Sequence, residues 1–343
     1  MDLPTDEEHR EFKTKFLNKA YESTWTLNNV NSLEDINLRK FEKLIHLTFN
    51  DNFNEDIDNL LPYGLTQLTF GWYFNKSIDL SDLNKLTRLT FGGKFDQNVD
   101  KLPPSLTHLT FGMLFNKSVD NHLPDGLTHL TFGNDFNEPV IGLLPDKFEH
   151  LTFGDSFNQT VDFYYLINLT HLTFGWAFNQ SVDKLPPSLT HLTLGNDFNQ
   201  SVDKLPQALT HLTLGNDFNQ SVDELPPSLT HLTLGDNFNQ SVDELPPSLT
   251  HLTFGYWFNQ NVDQLPDGLT HLTFGNKMCS EFNPSVDKLP PSLTHLTFVP
   301  SSMDIVGSIE ETIGQLNPRI QVDVNLDEIQ DEKDYEYGDN FYY

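Results

Sequence analysis

Residues Leu209 to Ser228 read Leu-Thr-His-Leu-Thr-Leu-Gly-Asn-Asp-Phe-Asn-Gln-Ser-Val-Asp-Glu-Leu-Pro-Pro-Ser, and at Leu229 the phrase starts again. It opens thirteen times, at Leu44, Leu65, Leu86, Leu106, Leu127, Phe148, Leu169, Leu189, Leu209, Leu229, Leu249, Leu269 and Leu293, in steps of 20 or 21 residues with a last step of 24. A fixed period this short is the mark of a solenoid: one copy is too small to bury a core, and stacked copies bury a continuous one.

Side chains alternate along a strand, so Leu209, Leu212 and Leu214 are expected to point inward, with His211 and Thr213 outward between them. Gly215 is expected to turn the chain, and Phe218 to drop back into the core, followed by Val222 and Leu225. Pro226 and Pro227 hold the return extended and exclude a helix there. The reading is mainly β, with one short parallel strand per coil and an extended, Pro-rich return. The tenth position of the phrase is Phe in all twelve complete copies, from Phe53 to Phe282. Each buried ring contributes about 2 kcal/mol of apolar transfer energy.

Only 20 residues are Lys or Arg against 49 Asp or Glu, a formal net charge of -29. Such a surface repels phosphate, which argues against nucleic acid and anionic membranes and makes a basic protein surface the natural partner. The single cysteine, Cys279, excludes an internal disulfide framework and suits a reducing compartment. The first residues, Met1-Asp-Leu-Pro-Thr-Asp-Glu-Glu, carry no apolar run of a signal peptide, so the cytoplasm is the expected location.

Four segments follow from texture. Residues 1–43 form an N-terminal cap: Thr5 and Glu8 suit a capping box for a short helix through Phe12, Phe16, Leu17 and Ala20, followed by a loop carrying Trp25. Residues 44–299 hold about thirteen repeats. Residues 300–324 form a C-terminal cap, with a helix from Ser308 to Leu316 and a last strand from Ile320 to Val324. Residues 325–343, rich in Asp and Glu, read as an acidic disordered tail.

The alternation Leu-x-x-Leu-x-Phe/Leu with Asn-containing turns and Leu-Pro-Pro resembles a leucine-rich repeat. The longer phrase, Leu-Thr-His-Leu-Thr-Phe-Gly-x-x-Phe-Asn-Gln-Ser-Val, resembles the FNIP repeat of social amoebae and giant viruses. That resemblance implies a right-handed, leucine-rich-repeat-like solenoid that mediates protein–protein interaction, and a host cell as its setting if the chain is viral. No copy reads Phe-Asn-Ile-Pro; the pair after Phe-Asn is most often Gln-Ser. Some members carry an F-box before the repeats, which implies the alternative of a ubiquitin-ligase substrate adaptor. Asp2-Leu3-Pro4 is similar to an F-box start, but Thr5 to Arg10 are polar where that helix needs apolar positions.

Three columns invite chemistry. The third position is His in eleven copies, among them His171, His191, His211, His231 and His251, with Gln67 and Arg88 as the exceptions. Strands ~4.8 Å apart would stack these rings into an exposed ladder. Imidazoles suggest metal, a less favoured alternative, but a parallel row lacks the convergence that Zn²⁺ needs. The Asn column, from Asn54 onward, is expected to be buried and to satisfy the backbone of the next coil. The Asp column, from Asp58 onward and broken by Ile141, is expected to cap turns. No Walker, His-Glu-x-x-His or Gly-x-Ser-x-Gly motif occurs, so neither catalysis nor a cofactor is expected.

Binding is expected where the repeat stops repeating. The eighth and ninth positions are mostly Asn and Asp, but carry Trp72-Tyr73, Met113-Leu114, Trp176-Ala177 and Tyr256-Trp257 in four copies. Large aromatics on a polar rim are the residue types of interface hot spots. Packing against the adjacent coil is the competing reading, and the copies lie repeats apart, so one patch is not required.

Overall fold

The computed structural model describes residues 24–27, 38–120, 123–275, 288–299 and 318–325. Fifteen strands occur among them. A first unit, residues 1–180 with 184–189, holds β1 (Thr24–Leu27), β2 (His46–Phe49), β3 (Gln67–Thr69), β4 (Arg88–Thr90), β5 (His108–Thr110), β6 (His129–Thr131), β7 (His150–Thr152) and β8 (His171–Thr173). A second unit, residues 181–183 with 190–343, holds β9 (His191–Thr193), β10 (His211–Thr213), β11 (His231–Thr233), β12 (His251–Phe254), β13 (His271–Phe274), β14 (His295–Phe298) and β15 (Gln321–Val324). Within each unit the strands pair in parallel and in sequence order, and like repeat positions face each other: His211 with His231, Leu212 with Leu232, Thr213 with Thr233.

Strands of three or four residues are short because each coil must turn away at once. In the coil from Leu209, buried Leu212 sits between half-buried His211 and exposed Thr213, so the alternation has the expected phase. The Phe218 N–H donates to the Gly215 carbonyl at 3.2 Å and closes the first turn. The return is extended between further tight turns, such as Leu205 N–H to Val202 and Leu209 N–H to Pro206. Val222, Leu225 and Pro226 are buried, while Pro227 is exposed. The helical element described in full is the single 3₁₀ turn Leu38–Lys40.

The first unit's core is a double ladder of rings. Phe70, Phe91 and Phe111, at the sixth position, stack at 5.6 and 5.8 Å. Phe74, Phe95 and Phe115, at the tenth, stack at 6.2 Å. The two columns meet within each coil, Phe91 on Phe95 at 3.8 Å. In the second unit Leu194, Leu214 and Leu234 take the sixth position before rings stack there at Phe254, Phe274 and Phe298, and Phe198, Phe218 and Phe238 stack at the tenth at 6.1 and 6.0 Å.

Three local points add to or change the expectations. First, Gly215 opens the turn as expected and is also required by clearance: a Cβ there would lie 1.8 Å from the Gly195 carbonyl oxygen. The same holds at Gly92 and Gly133, each 1.9 Å from the oxygen one coil back. Among the described residues only Gly142 is a glycine with positive φ, at 72°. Second, Trp25 is in strand β1 rather than a loop; it pairs with Leu47 and is buried, its ring edge-on to Phe41 at 4.5 Å. Thr24-Trp25-Thr26-Leu27 has the same alternation as the repeat phrase without its spelling. Third, the Asn column is at the surface. Asn54 Oδ1 accepts the Asn75 N–H at 2.9 Å, and the column continues as Asn137 to Asn158 and Asn219 to Asn239. The side chain caps the next coil's backbone from the rim, half-buried at most.

At the C-terminal end, Val322 pairs with Leu296, so a strand lies where the Ile320–Val324 reading put one. The expected helices of residues 5–20 and 308–316, the acidic tail beyond Asn325, and Cys279 lie outside the described residues.

Candidate functional site

A backbone ladder runs along the rim at the eighth and ninth positions. The ninth-position N–H of one coil donates to the eighth-position carbonyl of the coil before: Lys94 to Trp72 at 2.9 Å, Leu114 to Gly93 at 2.8 Å, Asp217 to Asn196 at 2.8 Å. This ladder does not depend on side-chain identity; in some coils an eighth-position carboxylate adds to it, Asp51 Oδ1 accepting the Trp72 N–H at 3.1 Å and Asp236 Oδ1 the Tyr256 N–H at 3.3 Å, while in others the position carries a large apolar side chain instead.

Three successive coils of the first unit use that freedom together. Trp72 and Tyr73, then Gly93 and Lys94, then Met113 and Leu114 occupy matching positions. Trp72 is 40% exposed and Met113 42%. A Cβ on Gly93 would come within 2.4 Å of the Trp72 indole, so the ring lies over that glycine, toward the coil that carries Met113. Lys94 Nζ stands 4.8 Å above the Tyr73 ring, a cation–π contact. Tyr73 and Leu114 are exposed as well. Trp72, Tyr73, Met113 and Leu114 are thus exposed at matching rim positions two coils apart, and the Trp72 ring lies over the intervening Gly93, a residue that the sequence reading did not connect to them.

Trp176 is also exposed, but the coils carrying Asn134-Asp135 and Asp155-Ser156 stand between it and those residues. In the second unit, half-buried Tyr256 packs edge-on against exposed Trp257, centroids 5.0 Å apart. Sequence reasoning noted Ile141 only as a break in the Asp column and missed Tyr164, Tyr165 and Ile167; all four are exposed. The signal was present: they break polar columns on the return rather than on the rim.

The histidine ladder stacks more tightly than the strand spacing. His108, His129, His150 and His171 follow one another at 4.2 to 4.4 Å in the first unit. His191, His211, His231 and His251 do so at 4.1 to 4.2 Å in the second. Each ring is held by the preceding threonine. Thr230 Oγ lies 3.0 Å from the Thr210 carbonyl and 2.9 Å from His231 Nδ1, so the hydroxyl bridges the backbone of one coil and the imidazole of the next. Thr107 with His108 and Thr210 with His211 repeat the arrangement. Burial lowers the pKa of His108, His129, His231, His251 and His271, and the neighbouring imidazoles lower each further. Stacked parallel rings aim their lone pairs side by side, and among the described residues no three His, Cys, Asp or Glu are grouped to hold a metal. Where Gln67 and Arg88 interrupt the ladder, a hollow of about 220 Å³ opens, lined also by Thr90, His108 and His129.

The Asp column does less turn capping than expected. Serine caps instead: the Asp203 N–H donates to Ser201 Oγ at 3.2 Å, and Asp223 repeats this with Ser221. The carboxylates reach the lysine of the following coil. Lys101 with Asp79 and Lys184 with Asp162 lie at 2.8 Å, Lys204 with Asp183 at 2.6 Å, and Lys288 pairs with Asp263. Lys101, helped by Ser81, holds the Asp79 carboxyl down to about 2. These pairs are solvent-exposed and add little stability.

Parallel one-strand coils, a ring-filled core and a variable rim define a leucine-rich-repeat-like solenoid. The FNIP Repeat family model matches residues 115–156, 167–197, 181–217, 218–256, 241–277 and 258–301, and the chain belongs to that family. Among solved structures it is similar to CroV588, described as a novel circular LRR protein, at 45% identity and a TM-score of 0.72 over 81% of this chain. The match spans only 43% of the CroV588 chain. InlJ from Listeria monocytogenes is matched at 16% identity and a TM-score of 0.49 over 82% of this chain and 74% of its own. YopM from Yersinia enterocolitica is matched at 16% identity and a TM-score of 0.26, over 96% and 95%. A comparison with curated proteins finds no match. Among the described residues no helix is long and apolar enough to cross a membrane.

Proposed function

We propose that the chain is a non-enzymatic scaffold that holds a protein partner against the rim patch of Trp72, Tyr73, Lys94, Met113 and Leu114. One observation carries the reading: the Trp72 indole lies across Gly93 toward the Met113 coil while 40% of the residue stays exposed. An indole pre-set on a glycine gives contact area at little cost in side-chain entropy. Trp, Tyr and Met are enriched in interface cores. Trp176 and the Tyr256–Trp257 pair serve as further contacts. The partner is basic, because a net charge of -29 steers cationic surfaces to the chain and repels acidic ones. The setting is the cytoplasm of the host cell.

The test is capture from the native cell by the tagged protein, with mass spectrometry of what is retained at ~50 mM and at ~500 mM salt, a range over which the Debye length falls severalfold. A basic protein held at low salt and released at high salt is the expected result. Retention of acidic proteins alone, indifferent to salt, would refute the charge argument.

A further inference from the structure

Two coils share one return backbone and differ in what they show to solvent. Residues 161–168 read Val-Asp-Phe-Tyr-Tyr-Leu-Ile-Asn and residues 78–85 read Ile-Asp-Leu-Ser-Asp-Leu-Asn-Lys. Their backbone-to-backbone hydrogen bonds match, and the polar coil adds side-chain bonds from Ser81 to Asp79 and from Asn84 to the Asp82 carbonyl. The Phe163 N–H donates to Lys184 at 3.0 Å, as Leu80 does to Lys101 at 3.1 Å. Leu166 donates to Phe163 and Ile167 to Tyr165, as Leu83 does to Leu80 and Asn84 to Asp82. The anchors are buried in both: Val161, Phe163 and Leu166 in one, Ile78, Leu80 and Leu83 in the other. Between the anchors, Tyr164, Tyr165 and Ile167 stand where the other coil has Ser81, Asp82 and Asn84. The fold is satisfied by the polar set, so it does not require the apolar one.

The apolar set is exposed, Tyr164 at 65% and Ile167 at 64%. Ile141 of the preceding coil, also exposed, interrupts the Asp column between Asp120 and Asp162. Burial raises the Tyr165 hydroxyl pKa, and the nearby backbone of Leu144 and Gly142 in the preceding coil opposes that rise. The flank is acidic. Asp162 is paired with Lys184, but Asp120, Asp125 and Asp146 are exposed and have no ion pair among the described residues. Lys147 is the cation set among them.

We infer that Ile141, Tyr164, Tyr165 and Ile167 form a second docking surface, separate from the rim, for a protein segment with apolar anchors flanked by Lys or Arg. Charge complementarity selects that occupant: the apolar side chains fill the surface and the cations answer Asp120, Asp125 and Asp146. A second copy of the chain fits poorly, since it brings its own -29 to the same carboxylates. The surface stands independently of the rim patch.

The probe is a labelled synthetic amphipathic peptide of Leu and Lys, with two controls, Glu replacing Lys and Ser replacing Leu. The variant is Tyr164→Ser with Ile167→Asn, which imports the residues of the matching slots at Ser81 and Asn84. The Leu/Lys peptide is expected to bind wild type at least ten-fold tighter than the variant, to bind tighter than either control, and to slow hydrogen exchange within residues 139–168. Melting of the variant should stay close to wild type. Should the variant melt early, Asp120→Asn with Asp146→Asn supplies the reading, with an expected loss of about five-fold. Equal binding to wild type and variants, equal binding of the Glu control, or protection centred on residues 71–114 would overturn the inference. So would a concentration-dependent dimer, seen by sedimentation in wild type and absent from the variant.

Discussion

Phe218→Ala is expected to lower the unfolding free energy by about 3–5 kcal/mol, the range for removing a fully buried aromatic from a packed core. Phe218 is buried, with Phe198 and Phe238 stacked on either side at 6.1 and 6.0 Å, so truncation opens a gap that neighbouring coils cannot close without moving their own rings. Asp217, one residue earlier, is exposed and contributes its backbone N–H to the rim ladder. Asp217→Ala should change stability by less than ~0.5 kcal/mol. Denaturant unfolding of both variants checks the pair. Equal effects would mean that the inward and outward columns are reversed.

The second large effect is acid sensitivity. An unfolded histidine titrates near ~6.5. His108, His129, His231, His251 and His271 have folded pKa values below that, first because burial disfavours the cation and then because a charged neighbour in the ladder would repel it. As pH falls through the unfolded value, the unfolded chain takes up protons that the folded ladder refuses. Stability is therefore full above ~6.5 and is lost progressively down to the folded values, below which this source of loss ends. The acidic surface works in the opposite direction, favouring protonation, but ring neighbours at about 4.2 Å are closer than the Debye length of ~8 Å. The comparison is a variant with Gln at His231, His251 and His271, a substitution that Gln67 shows the slot accepts. Melting of wild type should fall more steeply than that of the variant between pH 7.5 and 5. Parallel slopes would remove the ladder as the cause.

The period and the apolar columns of the sequence carried the fold. Leu209, Leu212, Leu214, Phe218, Val222 and Leu225 are buried as their spacing implied, because a strand's alternation and a turn's return are local properties. What depends on the distance between coils was not legible. Gly215 reads only as a turn residue until the neighbouring carbonyl is placed 1.8 Å from its missing Cβ. The Asn column reads as buried until its caps are seen on the rim. Gly93 looks like one more variable residue until the Trp72 ring is laid over it. The tyrosines of the coil from Phe148 escaped notice for a different reason: they fill return slots where no phrase repeats, and only the matching backbone of the coil from Leu65 makes them stand out.

Partner binding by Trp72→Ser, measured alongside its thermal melting, tests the rim-patch account most directly. Removing a central aromatic anchor typically costs enough binding energy to lower affinity on the order of ten-fold or more. The account predicts that loss with a melting temperature nearly unchanged, since the indole leaves 40% of the residue in solvent and the backbone ladder beneath it is intact. Unchanged affinity per folded molecule, with a lowered melting temperature, would show instead that Trp72 packs the solenoid and contacts no partner.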